Sequence, residues 1–142
     1  MFNKHLFKSQ NCRWATPSGV FKDLHKEFSF TLDVCADANN AKCRRYYDIE
    51  DDGLVKPWAP YVCWMNPPYG RGISQWMKKA VDEASKGATV VALIPARTDT
   101  KWWHQYAMLG EIRFLNRRLS FDGADNKAPF PSAVIIFRSR RS

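Results

Sequence analysis

Residues 63–70, "CWMNPPYG", place two prolines between an amide side chain and an aromatic ring. The segment that leads into them, "YVCWM", is mostly apolar and aromatic, which predicts a buried strand ending at Met65. Pro67 and Pro68 fix their own φ angles and restrict the residues before them. We therefore expect a stiff turn directly after the C-terminal end of a strand.

Helix and strand patterns alternate on both sides of this turn. Apolar residues recur at helical spacing over residues 72–87, and Gly87 supplies a C-terminal stop. The run "ATVVALIP" is apolar almost throughout, which is typical of a central parallel strand covered on both faces. Two more helices are predicted, over 14–28 (Thr16 as N-cap, Pro17 first in the helix) and over 98–110 (Thr98 or Asp99 as cap), with a short third one around 39–45. The other predicted strands are "FSFTLDVCA", "EIRFL" and "SAVIIF".

This order predicts the α/β fold class with central parallel strands. No helix separates the last two strands, so we expect them to form an antiparallel C-terminal edge hairpin. A polar loop of about seventeen residues joins them, a length that suggests function or mobility. At 142 residues the chain is expected to be one domain, with a core at about 14–138 and both ends frayed.

The composition favours a folded protein with a polyanionic partner. The net charge is +8 with 14% aromatic residues, which suits nucleic acid, although charge also serves solubility. No apolar run is long enough to span a membrane, and no secretion signal is evident. The four cysteines lack metal-site spacing, so we expect reduced thiols, no metal and a cytoplasmic location.

The proline turn can activate an amino group that is conjugated to a ring. Ligands of open α/β sheets bind beyond the carboxyl ends of the strands, where this turn lies. The Asn66 amide oxygen and the Pro67 carbonyl could accept both hydrogens of one NH₂ group, while Tyr69 stacks on the attached ring. Catalysis would then consist of positioning and electrostatics. The alternative is an ordinary rigid turn.

The chain resembles the small phage-encoded DNA adenine-N6 methyltransferases, often called phage Dam-type. "NPPY" looks like the catalytic motif of amino-methyltransferases that use S-adenosylmethionine (AdoMet), and the resemblance runs from about Trp14 to Phe137. The motifs that carry it are "WATP", "LDVCADANNAKC", "DDGL", "NPPYGR", "LIPARTDT" and "APFPSAVIIF". The resemblance implies a compact Rossmann-like AdoMet-methyltransferase sheet without a separate target-recognition domain. It also implies methyl transfer from AdoMet to adenine N6 in DNA, in the cytoplasm of a bacterial host cell.

Cofactor contacts follow from the same resemblance. Thr16 and Pro17 resemble the helix start that meets the methionine end of AdoMet; a plain N-cap is the alternative. Asp33, Cys35 and Ala36 resemble the first-strand motif, with Asp33 facing the ammonium group or else lying on the surface as an ordinary aspartate. Asp52 resembles the acidic residue that meets the cofactor adenine, and a solvated acidic loop is the alternative. Asn66 would border both cofactor and base.

Contacts to the base and to DNA are implied in the same way. Asn66 and Pro67 would hold the N6 amino group of a duplex adenine flipped out of the stack, with Tyr69 stacked on the base. Pro68 and Phe130 would line the base, although Phe130 also suits the core. The candidate phosphate contacts are Arg71, Arg97, Arg117 and Arg118, any of which could instead be a solvated charge.

The sequence departs from many AdoMet enzymes in two features, and several alternatives to DNA adenine methylation are open. The segment after the first strand lacks the glycine-rich loop of many AdoMet enzymes. Without a separate target-recognition domain, sequence readout would come from loop 116–131, the termini or a second subunit. We expect a monomer or homodimer. The rivals are methylation of RNA adenine, cytosine N4 or protein glutamine, and a non-catalytic DNA-binding module that keeps the fold.

Overall fold

The computed structural model describes residues 17–120 and 127–140. These residues form a mixed α/β structure around one five-stranded sheet. The helices are α1 (Ser18–Phe28), α2 (Ile73–Ser85) and α3 (Lys101–Gln105), with short 3₁₀ turns at Gly53–Val55 and Ala107–Leu109. The strands are β1 (Leu32–Asp33), β2 (Val62–Met65), β3 (Thr89–Pro95), β4 (Glu111–Phe114) and β5 (Ser132–Phe137).

The sheet combines parallel and antiparallel pairs in the order β1-β2-β3-β5-β4. β1 pairs with β2, and β2 with β3, in parallel, whereas β5 runs antiparallel to both β3 and β4. The expected antiparallel pairing of the last two strands is confirmed. β1 and β4 are the two edge strands. β5 lies between β3 and β4, and all residues of β5 are buried.

Both faces of β2 are covered. Trp64 faces α1, where its ring meets Phe21 edge to face at 5.3 Å between centroids. Cys63 lies on the opposite side, near Trp58, whose ring stacks on Trp76 of α2 at 6.2 Å. Burial on two faces explains why the sequence of this strand is apolar without alternation.

Helix α2 has an apolar face and a regular C-terminal end. Its buried residues include Ile73, Trp76, Met77 and Ala80, which recur at three- and four-residue intervals and so form one stripe. Gly87 follows with φ 121°, and the Gly87 and Ala88 amides donate to the carbonyls of Ala84 and Glu83. This is the Schellman pattern, and it confirms Gly87 as the stop signal.

Three local predictions need correction. Pro17 lies just before α1 and not inside it, and its carbonyl accepts the first helical hydrogen bond from Phe21; Thr16 falls outside the described residues. The cap of α3 is Thr100, whose hydroxyl accepts from the Trp103 amide, because residues 98–99 form a turn, closed by a hydrogen bond from the Thr100 amide to the Arg97 carbonyl, before the helix begins. Residues 39–45 form turns and bends rather than a helix, since the Asp37 carboxylate accepts from main-chain amides and holds a turn.

The topology brings distant segments to one edge of the sheet. β2 and β3 both end there, and Pro95 at the end of β3 lies opposite Ser132 at the start of β5. Loop 115–131 therefore begins and ends at the same edge as the proline turn. No helix among residues 17–120 and 127–140 has the length and apolarity that a membrane span needs.

Candidate active site

The proline turn lies where the sequence places it, one residue past the end of β2. Asn66 is half-buried, while Pro67, Pro68 and Tyr69 are buried. Gly70 then adopts φ 110°, a left-handed conformation that favours glycine and lets the chain leave the turn toward α2. The turn is thus clamped on both sides by elements of the core.

Tyr69 connects the turn to the centre of the sheet. Its hydroxyl lies 2.9 Å from Asn66 Oδ1 and 3.1 Å from the Leu93 carbonyl oxygen, and it can donate to either acceptor. Burial raises the pKa of Tyr69 well above its ordinary value, so the hydroxyl keeps its proton. Asn66 is therefore oriented with its amide oxygen toward Tyr69, and this oxygen has a second lone pair for a further donor.

The ring of Tyr69 packs against Phe130, which precedes β5. Their centroids lie 5.5 Å apart with the ring planes at 81°, an edge-to-face contact. The Arg97 guanidinium, just past β3, lies over the ring of Phe130, 5.5 Å from its centroid. The structure thus brings together Asn66, Tyr69, Arg97 and Phe130, which are up to 64 residues apart in the chain.

The remaining predicted phosphate contacts are exposed. Arg117 and Arg118 follow β4 at this edge of the sheet, and Arg71 follows the proline turn. Arg117 has φ 75°, which marks a sharp change in chain direction. The edge therefore carries four arginines, counting Arg97.

The candidate cofactor residues border a narrow cleft beside β1. Cys35, Asp52 and Gly53 of "DDGL" line it, as expected, together with residues that the sequence did not single out: Val34, Tyr47, Asp48, Ile49 and Trp76. Ala36 is buried beside this segment, and its amide donates to the Tyr47 carbonyl. Asp52 adopts φ 58°, and its Oδ1 accepts from the Leu54 amide.

The cleft is narrow. Its volume is about 10 Å³, far less than the roughly 300–1,000 Å³ of typical small-molecule sites, so an adenine ring would enter only if the surrounding side chains moved apart. An aromatic and apolar lining with a carboxylate acceptor matches an adenine ring and its amino group. Pro17 is described, but Thr16 is not, so the expected methionine end lies partly outside the described residues.

Asp33 is buried, with 2% of its surface exposed. Its two carboxylate oxygens accept from the amides of Cys35 (3.2 Å) and Lys42 (3.0 Å). Burial raises the pKa of Asp33 to about 7, and these hydrogen bonds oppose the rise. The structure therefore points the carboxylate at its own loop, not outward to a ligand, and the residue is not the alternative surface aspartate either.

A family model supplies the decisive comparison. The model described as "DNA N-6-adenine-methyltransferase (Dam)" matches residues 3–139. The chain belongs to this Dam family. Its activity is that of an adenine-specific DNA methyltransferase, and the phage-type assignment made from the motifs is confirmed.

Individual relatives agree with the assignment. The chain is 29% identical to the "DNA N-6-adenine-methyltransferase" of Haemophilus phage HP1 over 99% of this chain and 86% of the relative. It is 30% identical to the enzyme of the same name from Escherichia phage T1, over 63% of this chain and 38% of the relative. It is 35% identical to "Putative methyltransferase YfdM" of Escherichia coli K12, over 46% of this chain and 79% of that protein.

Two groups at this candidate site have no signal in the sequence that would predict their position. The Leu93 carbonyl belongs to a strand that reads as pure core, and nothing in the sequence marks it as a partner of Tyr69. Trp76 lies on the apolar stripe of α2, so its place beside the cleft has no local signal. Gly53, by contrast, belongs to the "DDGL" motif that resembles the acidic cofactor motif, and it lines the cleft.

Proposed function

We propose that this Dam-family member uses AdoMet as its methyl donor and the proline turn as the catalytic centre. The observation that carries the proposal is the hydrogen bond from the buried Tyr69 hydroxyl to Asn66 Oδ1. It pre-orients the amide oxygen at the end of β2, where the oxygen can accept from one N6–H bond of adenine. The Pro67 carbonyl accepts from the other N6–H bond.

Holding both N–H bonds directs the N6 lone pair. This lone pair is normally delocalised into the ring, and two acceptors on one side favour a tetrahedral nitrogen that is a better nucleophile. When bound, AdoMet supplies an electrophilic methyl group on a positively charged sulfur. After N6 has taken up the methyl group, its extra proton leaves to solvent or through a carbonyl.

The remaining residues form the two sides of the site. Asp52 meets the amino group of the cofactor adenine in the cleft, and Cys35, Ala36, Pro17 and Thr16 complete that side. Asp33 shapes the loop after β1, and any contact it makes with the cofactor ammonium requires this loop to rearrange.

On the DNA side, the target adenine is flipped out of the duplex. Pro68, Tyr69 and Phe130 receive the flipped adenine, which must displace part of the packing that now covers the Tyr69 ring. The phosphates of the DNA backbone are contacted by four exposed side chains, Arg71, Arg97, Arg117 and Arg118.

We also propose that the whole chain, 1–142, works as one Rossmann-like methyltransferase domain without a separate target-recognition domain. Loop 115–131 supports this because it returns to the edge of the sheet that carries the proline turn. In open α/β sheets this edge is where ligands bind. The described ends of the loop, residues 115–120 and 127–131, are therefore placed to contact bases next to the target, while residues 121–126 lie outside the described part of the chain.

A methyl-transfer assay tests the proposal. Tritiated AdoMet and unmethylated duplex DNA are incubated with the wild type, with Asn66→Ala, and with Asn39→Ala as a control at an exposed asparagine. We expect label in N6-methyladenine for the wild type and the control, and a loss of at least 100-fold for Asn66→Ala, the order of effect of removing one preorganised polar group. Undiminished transfer by Asn66→Ala would exclude the assigned role.

A further inference from the structure

A second basic surface lies away from the proline turn, beside β1 and the start of β2. We define the β1-edge groove by Lys42, Arg44, Arg45, Phe30 and Tyr61, with His25, Thr31 and Val62 at its border. It is open to solvent and has a volume of about 720 Å³, far larger than that of the cofactor cleft. Its size suits an extended surface and not a small buried ligand.

The cations of the groove are available to a partner. Within the described part of the chain no carboxylate lines the groove, and Lys42, Arg44 and Arg45 form no ion pair there. Some surface cations elsewhere are paired: Lys78 with Asp82 at 2.8 Å, and Arg113 with Glu27 at 2.7 Å. The groove is a local concentration of positive charge without direct ion pairs, and the carboxylate that Lys42 senses is that of the buried Asp33.

Aromatic rings support two of these cations. The Arg45 guanidinium lies 4.7 Å from the Tyr61 ring centroid, and Lys42 Nζ lies 6.0 Å from that of Phe21. A side chain that rests on a ring loses less freedom when it binds an anion. The two rings thus hold the charges near the groove wall.

The backbone of the segment is held as well, by Asp33. The Lys42 amide donates to Asp33 Oδ2 at 3.0 Å, and the Asp33 amide donates to the Arg45 carbonyl at 3.0 Å. The Tyr47 amide then donates to the Asp33 carbonyl at 2.9 Å. One buried residue therefore fixes both ends of the stretch that carries three positive charges.

The groove and the proline turn lie at opposite ends of β2. Val62 borders the groove and Asn66 follows the last residue of the strand, so the two are about 13 Å apart at 3.3 Å per residue. One turn of B-DNA is about 34 Å long, so a duplex that extends beyond the target base has backbone within reach of a surface at this distance. The groove is thus separate from the catalytic site but near enough for the same DNA.

We propose that the β1-edge groove binds the phosphate backbone of the duplex that flanks the target adenine. The inference rests on the proposed function for its choice of DNA as the polyanion. Several closely spaced cations without ion-pair partners match a polymer with regularly spaced phosphates. The contact would add affinity without sequence information, and it would help to offset the cost of base flipping.

The test compares two variants that remove the same charge. The groove variant is Lys42→Gln/Arg44→Gln/Arg45→Gln. The control is Lys22→Gln/Lys56→Gln/Arg140→Gln, at exposed cations outside the groove that form no ion pair within the described residues. Both variants lose three of the positive charges that make the net charge +8. Binding to an unmethylated duplex of about 30 base pairs, or roughly three helical turns, is measured from about 50 to 200 mM salt. Thermal unfolding verifies that both variants fold.

We expect the groove variant to show a shallower dependence of affinity on salt. Each lost phosphate contact reduces the slope by about 0.9, so three contacts correspond to a roughly 40-fold smaller loss of affinity over this range. With DNA at saturation its kcat should equal that of the wild type, while the KM for DNA rises. A salt slope equal to that of the control overturns the proposal. Failure of the proposed function would give a different result from failure of the groove proposal. In that case the wild type itself would transfer no methyl group at any DNA concentration.

Discussion

At the scale of single residues, the site depends on hydrogen bonds that the core makes to the proline turn. Tyr69 is the clearest case, because its hydroxyl serves both Asn66 and the Leu93 carbonyl. An aromatic residue expected to stack on the substrate is also part of the structure that holds the catalytic amide. Function and folding therefore share one side chain.

Replacing Tyr69 by Phe isolates the hydroxyl. The ring stays in contact with Phe130, but the one buried hydrogen bond that the hydroxyl donates, to Asn66 Oδ1 or to the Leu93 carbonyl, is lost, so we expect the free energy of unfolding to fall by about 1–3 kcal/mol. We also expect kcat to fall, because Asn66 is no longer oriented. Tyr106→Phe is the control, since that hydroxyl makes no hydrogen bond within residues 17–120 and 127–140. Urea unfolding of a Tyr69→Phe protein that matches the wild type would contradict this account.

Asp33 gives a pH dependence of stability. Its folded-state pKa of about 7 lies above the unfolded value of 3.8, so the folded protein binds the extra proton between these values. The stabilisation by this proton is fully present below about pH 4 and is lost as the pH rises through about 7. Above that pH, Asp33 causes no further change in stability. At about 1.4 kcal/mol per pKa unit, the total change is on the order of 4 kcal/mol.

The variant Asp33→Asn removes this titration. The unfolding free energy of the wild type minus that of the variant should therefore decrease as the pH rises from about 4 to 7. Denaturant unfolding over this range measures the difference, and the other titrating groups cancel between the two proteins. A difference that is constant, or that increases with pH, would show that the pKa of Asp33 is not raised.

At the scale of elements, close approach of the backbone decides where the cleft lies. Gly53 starts the 3₁₀ turn after Asp52, and its carbonyl accepts from the Trp58 indole at 2.8 Å. A β-carbon on Gly53 would overlap the Val34 carbonyl oxygen and lie 3.1 Å from the Trp76 ring. The chain after β1 and helix α2 thus meet over a glycine.

We expect Gly53→Ala to destabilise the protein by about 1–3 kcal/mol, because overpacking forces the backbone to shift. Gly19→Ala is the matched control. Gly19 lies within α1, and among the described residues no neighbouring atom comes within 4 Å of the point where a β-carbon would sit, so alanine should stabilise the helix by about 0.5–1 kcal/mol. Thermal unfolding of the two variants should give shifts of opposite sign, and a neutral Gly53→Ala would rule out the close contact.

At the scale of the whole molecule, ligand binding and stability are linked. A ligand that binds only the folded protein stabilises it by about 2.7 kcal/mol at a hundredfold excess over its Kd. For a chain of this length we expect AdoMet to raise Tm by roughly 5–10 °C at that excess. The measurement reports cofactor binding without requiring turnover.

Asp52→Asn should reduce this shift to about half at the same concentration, which corresponds to a tenfold loss of affinity. The asparagine oxygen can still accept from the Leu54 amide, and asparagine tolerates the left-handed φ of 58°. Its NH₂ group would then face the amino group of the cofactor adenine, donor against donor. Asp23→Asn, at an exposed position on α1, is the control. An unchanged shift for Asp52→Asn would remove Asp52 from the cofactor site.

The sequence by itself determined the features that depend on neighbouring residues. Proline chemistry places a stiff turn after "YVCWM", apolar periodicity defines α2, and Gly87 ends it, because each signal acts within one or two turns of chain. The residues of the family motifs likewise identify a DNA adenine methyltransferase, and the match over residues 3–139 confirms it.

Only the tertiary structure decided which distant groups meet. Tyr69 meets the Leu93 carbonyl because β3 pairs with β2, and it meets Phe130 because β5 inserts between β3 and β4; no local pattern specifies these pairings. Asp33 looks like a ligand-facing aspartate in the sequence, yet the fold buries it against the amides of its own loop. Sheet order and burial are set by the packing of the whole core, which is a sum over contacts between residues far apart in the chain.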